Sequence, residues 1–169
     1  MILKGLKTKS IQKATKKSIL DRTLVPTSEK INSVGVMVSK DDFKVLETEI
    51  TDLKKMLNCK HLQYISYTQK LKKEDVADVI SPKYFGWKGI LKHENLKSFA
   101  NTEVDVLIAL TKQPDLCFEH LFAKSNAKFK VTNHEKLEVI ADLTINLGDE
   151  NFKTFKDELT KYLTILNKL

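Results

Sequence analysis

The sequence predicts an α/β fold, a three-layer sandwich with a mostly parallel, Rossmann-like sheet and an N-terminal basic helix. Three observations carry that prediction. Apolar, β-branched runs alternate along the chain with segments of helical period. The clearest run, VDVLIAL at Val104–Leu110, is apolar almost throughout, as a strand covered on both faces must be. The chain has 169 residues, 41% of them hydrophobic and 30% charged, a balance that can bury a core without disulfides or metal.

Each element follows in order. Residues 1–25 form a basic segment with helical character, and Pro26, Thr27 and Ser28 separate it from a single α/β domain over 26–169. The run 31–38 (INSVGVMV) reads as a buried strand. Ser39 and Asp42 then resemble a capping box with an acid in place of the usual Glu. Phe43, Leu46, Ile50, Leu53, Met56 and Leu57 give the next segment a helical period. His61–Tyr67 reads as a second strand and 76–81 as a short third, ended by Pro82. A short helix is expected at 94–100, a strand at Val104–Leu110 and a helix at Leu116–Lys124. Strand signals recur at 128–131 and 137–147. Asp149 is the expected cap of a final helix over 150–169, with the stripe Phe152, Phe155, Leu159, Tyr162, Leu163 and Leu166.

Charge is uneven. Residues 1–30 hold eight basic and two acidic side chains, hence +6 of the net +7; the other 139 residues hold 21 and 20. Lys4, Lys7, Lys9, Lys13, Lys16, Lys17 and Arg22 are therefore the candidate polyanion-binding residues, for RNA phosphate releases counterions when cations neutralise it. On a helical wheel Ile2, Leu3, Leu6, Ala14 and Leu20 share a face, interrupted by Lys13 and Lys17, while Ile11 and Ile19 fall outside it. A solvated or domain-packed helix and a membrane-surface segment are the competing expectations, although the segment has no aromatic anchor.

Several chemistries lack their residues. The five glycines form neither G-x-G-x-x-G nor a P-loop, and there is no G-x-S-x-G elbow. Cys117 and His120 stand three apart, and Cys59 and His61 two apart, each at most half a metal site. No catalytic residue, metal or cofactor is expected, and enzyme activity is left open. The two cysteines lack C-x-x-C spacing and no run is long enough to span a membrane. Together with the absence of a secretory signal, this suggests the cytoplasm. Asp105 and Asp142 within strand signals need partners, and Lys112 and Asp115 follow the strand where a switch-point ligand would sit.

The loop 84–89 concentrates Tyr84, Phe85, Trp87 and Lys88 between glycines. Two readings stand side by side. The aromatics form a stacking surface for a base or sugar while Lys88 meets phosphate, or Trp87 plugs the core while the glycines shape a turn.

MILKGLKTKSIQKA, PKYFGWKG, VDVLIALTK, SNAKFKV and ELTKYLTILNKL together resemble a family of small bacterial proteins known as a conserved domain of unknown function. The rhythm of Val104–Leu110 and 125–131 is also similar to the N-terminal half of heptosyltransferase-type glycosyltransferases, with Thr132 where that family has glycine. The second likeness implies a Rossmann-like fold. The leading expectation is a non-catalytic cytoplasmic binding module whose basic segment contacts RNA, the ribosome or another polyanion, and whose body contacts a protein partner. The alternative is a nucleotide or sugar-nucleotide binder, or a degenerate glycosyltransferase-like enzyme, using loop 84–89.

Overall fold

The computed structural model describes residues 1–24, 29–42, 47–75, 79–146 and 151–169. Its elements are α1 (Ile2–Leu20), β1 (Ser33–Ser39), α2 (Glu47–Met56), β2 (His61–Tyr67), β3 (Val79–Ile80), α3 (Glu94–Asn101), β4 (Val104–Leu110), α4 (Leu116–Lys124), β5 (Ala127–Thr132), β6 (Leu143–Thr144) and α5 (Phe152–Ile165).

Strand side chains alternate between two faces, and in β1 and β4 both sets are largely buried. Val34, Val36, Val38, Val106, Ile108 and Leu110 point into one core, closed by Leu53 of α2 and Phe155, Leu159 and Leu163 of α5. Met37, Leu107 and Ala109 point into the other, with Leu96 and Phe99 of α3 and Phe118, Leu121 and Phe122 of α4. That two-sided burial makes the sheet the middle layer of three.

The strand order is β3-β2-β1-β4-β5-β6, and every described pairing is parallel. Val36 pairs with Tyr64 on one side and Ile108 on the other, so β1 sits at the centre. The order reverses between β1 and β4, and the crevice at their carboxyl ends is where such sheets bind ligands.

The caps are local. Asp115 accepts the Phe118 N–H at 2.9 Å and starts α4. Asn151 accepts the Thr154 N–H at 3.1 Å and starts α5, while Asp149 lies outside the described residues. The boundary expected at residue 25 and the first turn expected from Phe43 also lie outside them. Asp42 does not close a capping box, because its carboxylate turns to the loop after β4. Among the described residues of the 137–147 signal the sheet gains only β6, preceded by a 3-10 turn at Glu135–Leu137.

Arg22 pins the end of α1. Its guanidinium donates to both Asp142 oxygens, at 2.6 and 3.1 Å, and to the carbonyls of Ile140 and Lys128 at 3.1 and 3.3 Å. Asp142 also accepts the Lys130 N–H at 2.7 Å. The fork geometry needs arginine. Arg22→Ala is expected to cost about 2 kcal/mol in urea denaturation, since one side chain supplies all four bonds.

Candidate polyanion-binding surface

Helix α1 lies against α4 and the 3-10 turn Trp87–Gly89, held by small polar contacts around one buried aliphatic residue, Ile11. The Lys88 N–H donates to the Ser10 hydroxyl at 2.9 Å. The Thr15 hydroxyl lies 2.9 Å from His120 Nδ1, and His120 Nε2 lies 3.0 Å from the Gly89 carbonyl. One buried imidazole thus joins the basic helix, α4 and the aromatic loop.

The inward face of α1 is not the apolar face of the wheel. Ile11 and Thr15 are buried and Ile19 packs against the core, whereas Ile2, Leu3, Leu6 and Leu20 are exposed. The small residues Ser10, Ala14, Thr15 and Ser18 recur at helical spacing and let α1 approach closely; that was the available signal. Lys7 lies near Cys117, Thr15 at His120 and Arg22 at the Lys128 carbonyl, so α1 runs alongside α4 in the same direction. Residues 1–6 project beyond this contact, and a Cβ added at Gly5 would meet nothing within 4 Å.

This docking turns Lys9, Lys13, Lys16 and Lys17 to solvent on the side away from the body. Lys4 is exposed near the projecting end and Lys7 is half-buried. Residues 2–20 contain six lysines and no acid, and among the described residues none of the six forms an ion pair. Arg22 differs from them, because its charge is committed to Asp142.

The aromatic loop divides its residues. Phe85 is the core plug, 0% exposed, and Trp87 is 48% exposed, which corrects the reading of Trp87 as the plug. Phe85 succeeds because its N–H bonds to the Pro82 carbonyl and it bridges to Leu91, turning the ring inward. Tyr84 is half-buried, edge-on to His93 at 4.9 Å, with Lys83 over its ring. Lys88 has φ +56° and an exposed side chain.

Gly89 has φ +69°, and a Cβ there would stand 2.1 Å from His120 Nε2. A carbonyl only accepts, so Nε2–H donates to Gly89 O, while the single proton of the Thr15 hydroxyl has two acceptors at 2.9 Å, Nδ1 of the neutral ring and the Ile11 carbonyl. Burial holds the His120 pKa below 6.5 and Lys124 lowers it further, outweighing the Gly89 hydrogen bond. With the folded pKa depressed, the unfolded chain takes up the proton first as pH falls. This contribution to stability is therefore complete above about pH 6.5 and is lost on acidification below it. Thermal melts are expected to show a falling Tm from pH 7 to 5, with a smaller fall over that window in His120→Gln.

The switch-point crevice is arranged differently. Asp42 accepts the Lys112 and Gln113 N–H groups at 2.6 and 3.3 Å and the Thr111 hydroxyl at 2.9 Å. Asp41 accepts the Thr68 hydroxyl at 2.7 Å and the Gln69 N–H at 3.3 Å. Backbone N–H groups that could hold a phosphate therefore hold the chain's own carboxylate. A cavity of about 340 Å³ beside them is lined by Ser39, Asp41, Asp42, Gln69, Lys70, Lys72 and Gln113, and includes none of loop 84–89.

The remaining candidates have structural partners. Asp105 accepts from the Asn32 and Ser33 N–H groups at 2.9 Å and pairs with Lys128 at 3.0 Å. Burial pushes its pKa up, but these donors outweigh burial and hold it below the usual range. Asp115 accepts the Tyr67 hydroxyl at 2.6 Å besides capping α4. Cys117 is buried; desolvation and Asp115 push its pKa up to about 12 against the pull of Lys7, so its thiol is a poor nucleophile. Among the described residues, no three His, Cys, Asp or Glu side chains gather to hold a metal, and no helix is long and apolar enough to cross a membrane.

No curated protein and no solved structure matches the chain. A match does extend over residues 7–166, which include α1 from Lys7 onward, loop 84–89 and the six described strands, and by it the chain belongs to a family of unknown function, DUF6913.

Proposed function

We propose that the protein is a non-catalytic binding module that engages RNA through Lys9, Lys13, Lys16 and Lys17 on α1. One observation carries the reading: the contacts of Ile11, Thr15 and Arg22 fix α1 so that four lysines, without an ion pair among the described residues, face away from the body. Packing does not ask for those lysines. Lys9, Lys13 and Lys17 stand four apart on one helix face, where like charges repel by about 0.2–0.5 kcal/mol per pair. A polyanion relieves that repulsion and releases counterions. In the cytoplasm that the composition suggests, RNA is such a polyanion.

Lys13→Glu separates the two costs. It turns two repulsive i,i+4 pairs into attractive ones, so stability is expected to rise by up to about 2 kcal/mol in thermal melts while RNA affinity falls. The direct test is fluorescence anisotropy with a labelled oligoribonucleotide at low salt. The wild type is compared with a variant carrying Lys9→Glu, Lys13→Glu, Lys16→Glu and Lys17→Glu. Charge reversal is preferred to deletion, because removing α1 would strip Ile11, Thr15 and Arg22 from the fold. The wild type is expected to bind and the variant to fail; equal binding by both rules the reading out.

A further inference from the structure

We infer that the surface is built for unpaired RNA, with Trp87 as a stacking platform for a base and the α1 lysines as the track for its backbone. The inference rests on the RNA-binding reading above and adds the class of RNA. Nearly half of the only tryptophan's surface is open to solvent. It does not sit on a slack loop. The next residue, Lys88, donates its N–H to Ser10 of α1, and Gly89 accepts from His120 of α4. The turn that carries the indole is thereby held against the lysine-bearing helix, with the exposed side chain of Lys88 next to it in sequence. Buried Phe85 supplies the core contact, so nothing in the packing requires an aromatic at position 87.

The chemistry selects single strands. A paired base keeps its faces inside the stack, whereas an unpaired base offers a π-face to the indole while lysines meet the phosphates beside it. Duplex RNA presents the same phosphates without that face, and its recognition rests on shape and backbone. Lysines alone therefore give binding to both forms, and Trp87 adds the preference.

The test uses the full chain, a short unstructured oligoribonucleotide and a duplex of equal length, with anisotropy of the labelled RNA and fluorescence of Trp87 read together. The single strand is expected to quench Trp87 along the same isotherm as anisotropy, and the duplex to bind more weakly without quenching. Trp87→Ala is expected to lower single-strand affinity roughly 5- to 150-fold and leave duplex affinity unchanged, with Trp87→Phe retaining most of it. The half-exposed side chain makes both variants foldable, and a thermal melt checks this. Equal affinity for both RNAs with Trp87 unquenched would overturn the stacking inference and leave the lysine surface standing. No binding to either RNA would overturn both. Quenching by vesicles of anionic phospholipid that displace the RNA would assign Trp87 to a lipid surface and also overturn the inference.

Discussion

Gly89→Ala is expected to destabilise the protein by about 3 kcal/mol or more, because two costs meet at one atom. A non-glycine residue forced into left-handed backbone costs roughly 1–2 kcal/mol, and Gly89 has φ +69°. The added methyl would also lie 2.1 Å from His120 Nε2, inside any real contact distance. Overpacking a closed site costs typically about 1–3 kcal/mol. The imidazole cannot simply retreat, since Thr15 holds its other nitrogen. The effect should therefore spread: hydrogen exchange in α1 is expected to accelerate around Ile11–Thr15 beyond the change in global stability. Urea denaturation gives the magnitude, and exchange gives the place. A change below 1 kcal/mol would mean that His120 does not join the loop to α4.

Phe85→Ala is expected to cost about 3–5 kcal/mol, the range for removing a fully buried aromatic. Phe85 is 0% exposed and meets the His120 ring edge-on at 6.3 Å, so the cavity would open beneath the seat of α1. Trp87→Ala, two residues on, is expected to change stability by less than about 1 kcal/mol, because the indole is 48% exposed. The pair of variants divides the loop by role in one denaturation experiment. Comparable losses at both positions would contradict that division.

The sheet was the most legible part of the chain. Val104–Leu110 and His61–Tyr67 were delimited to the residue; the first is the bounded apolar run that a strand buried on both faces must be, and the second, more exposed, is marked by its aromatic and β-branched residues. Leu116–Lys124 was equally clear, with Asp115 at its cap. β6 was not: only Leu143 and Thr144 pair, and their pairing depends on β5 rather than on any local pattern. The sheet is also more uniform than expected, since every described pairing is parallel.

The surface was legible in its composition and not in its geometry. Counting charges found the lysines of α1. The helical wheel, however, grouped Ile2, Leu3, Leu6, Ala14 and Leu20 on one face and left Ile11 outside it, because it scores hydrophobicity alone. The helix is seated by Ser10, Ile11 and Thr15, whose partners Lys88 and His120 lie far along the chain. Hydrogen bonds across such separations leave no periodic trace. Loop 84–89 was found by its aromatic density, yet only the fold distinguishes the buried Phe85 from the exposed Trp87. Asp42 was read as a capping-box acid for the same reason, since its actual donors belong to residues 111–113.

The most direct test of the central claim is the salt dependence of RNA binding. Four outward lysines on a single strand predict a slope of log K against log salt of about −3, from roughly −0.7 per neutralised phosphate. Replacing Lys13 and Lys17 by glutamine should reduce its magnitude by about half while stability stays unchanged within about 1 kcal/mol. A slope near zero, or the same slope after those lysines are removed, would contradict the account.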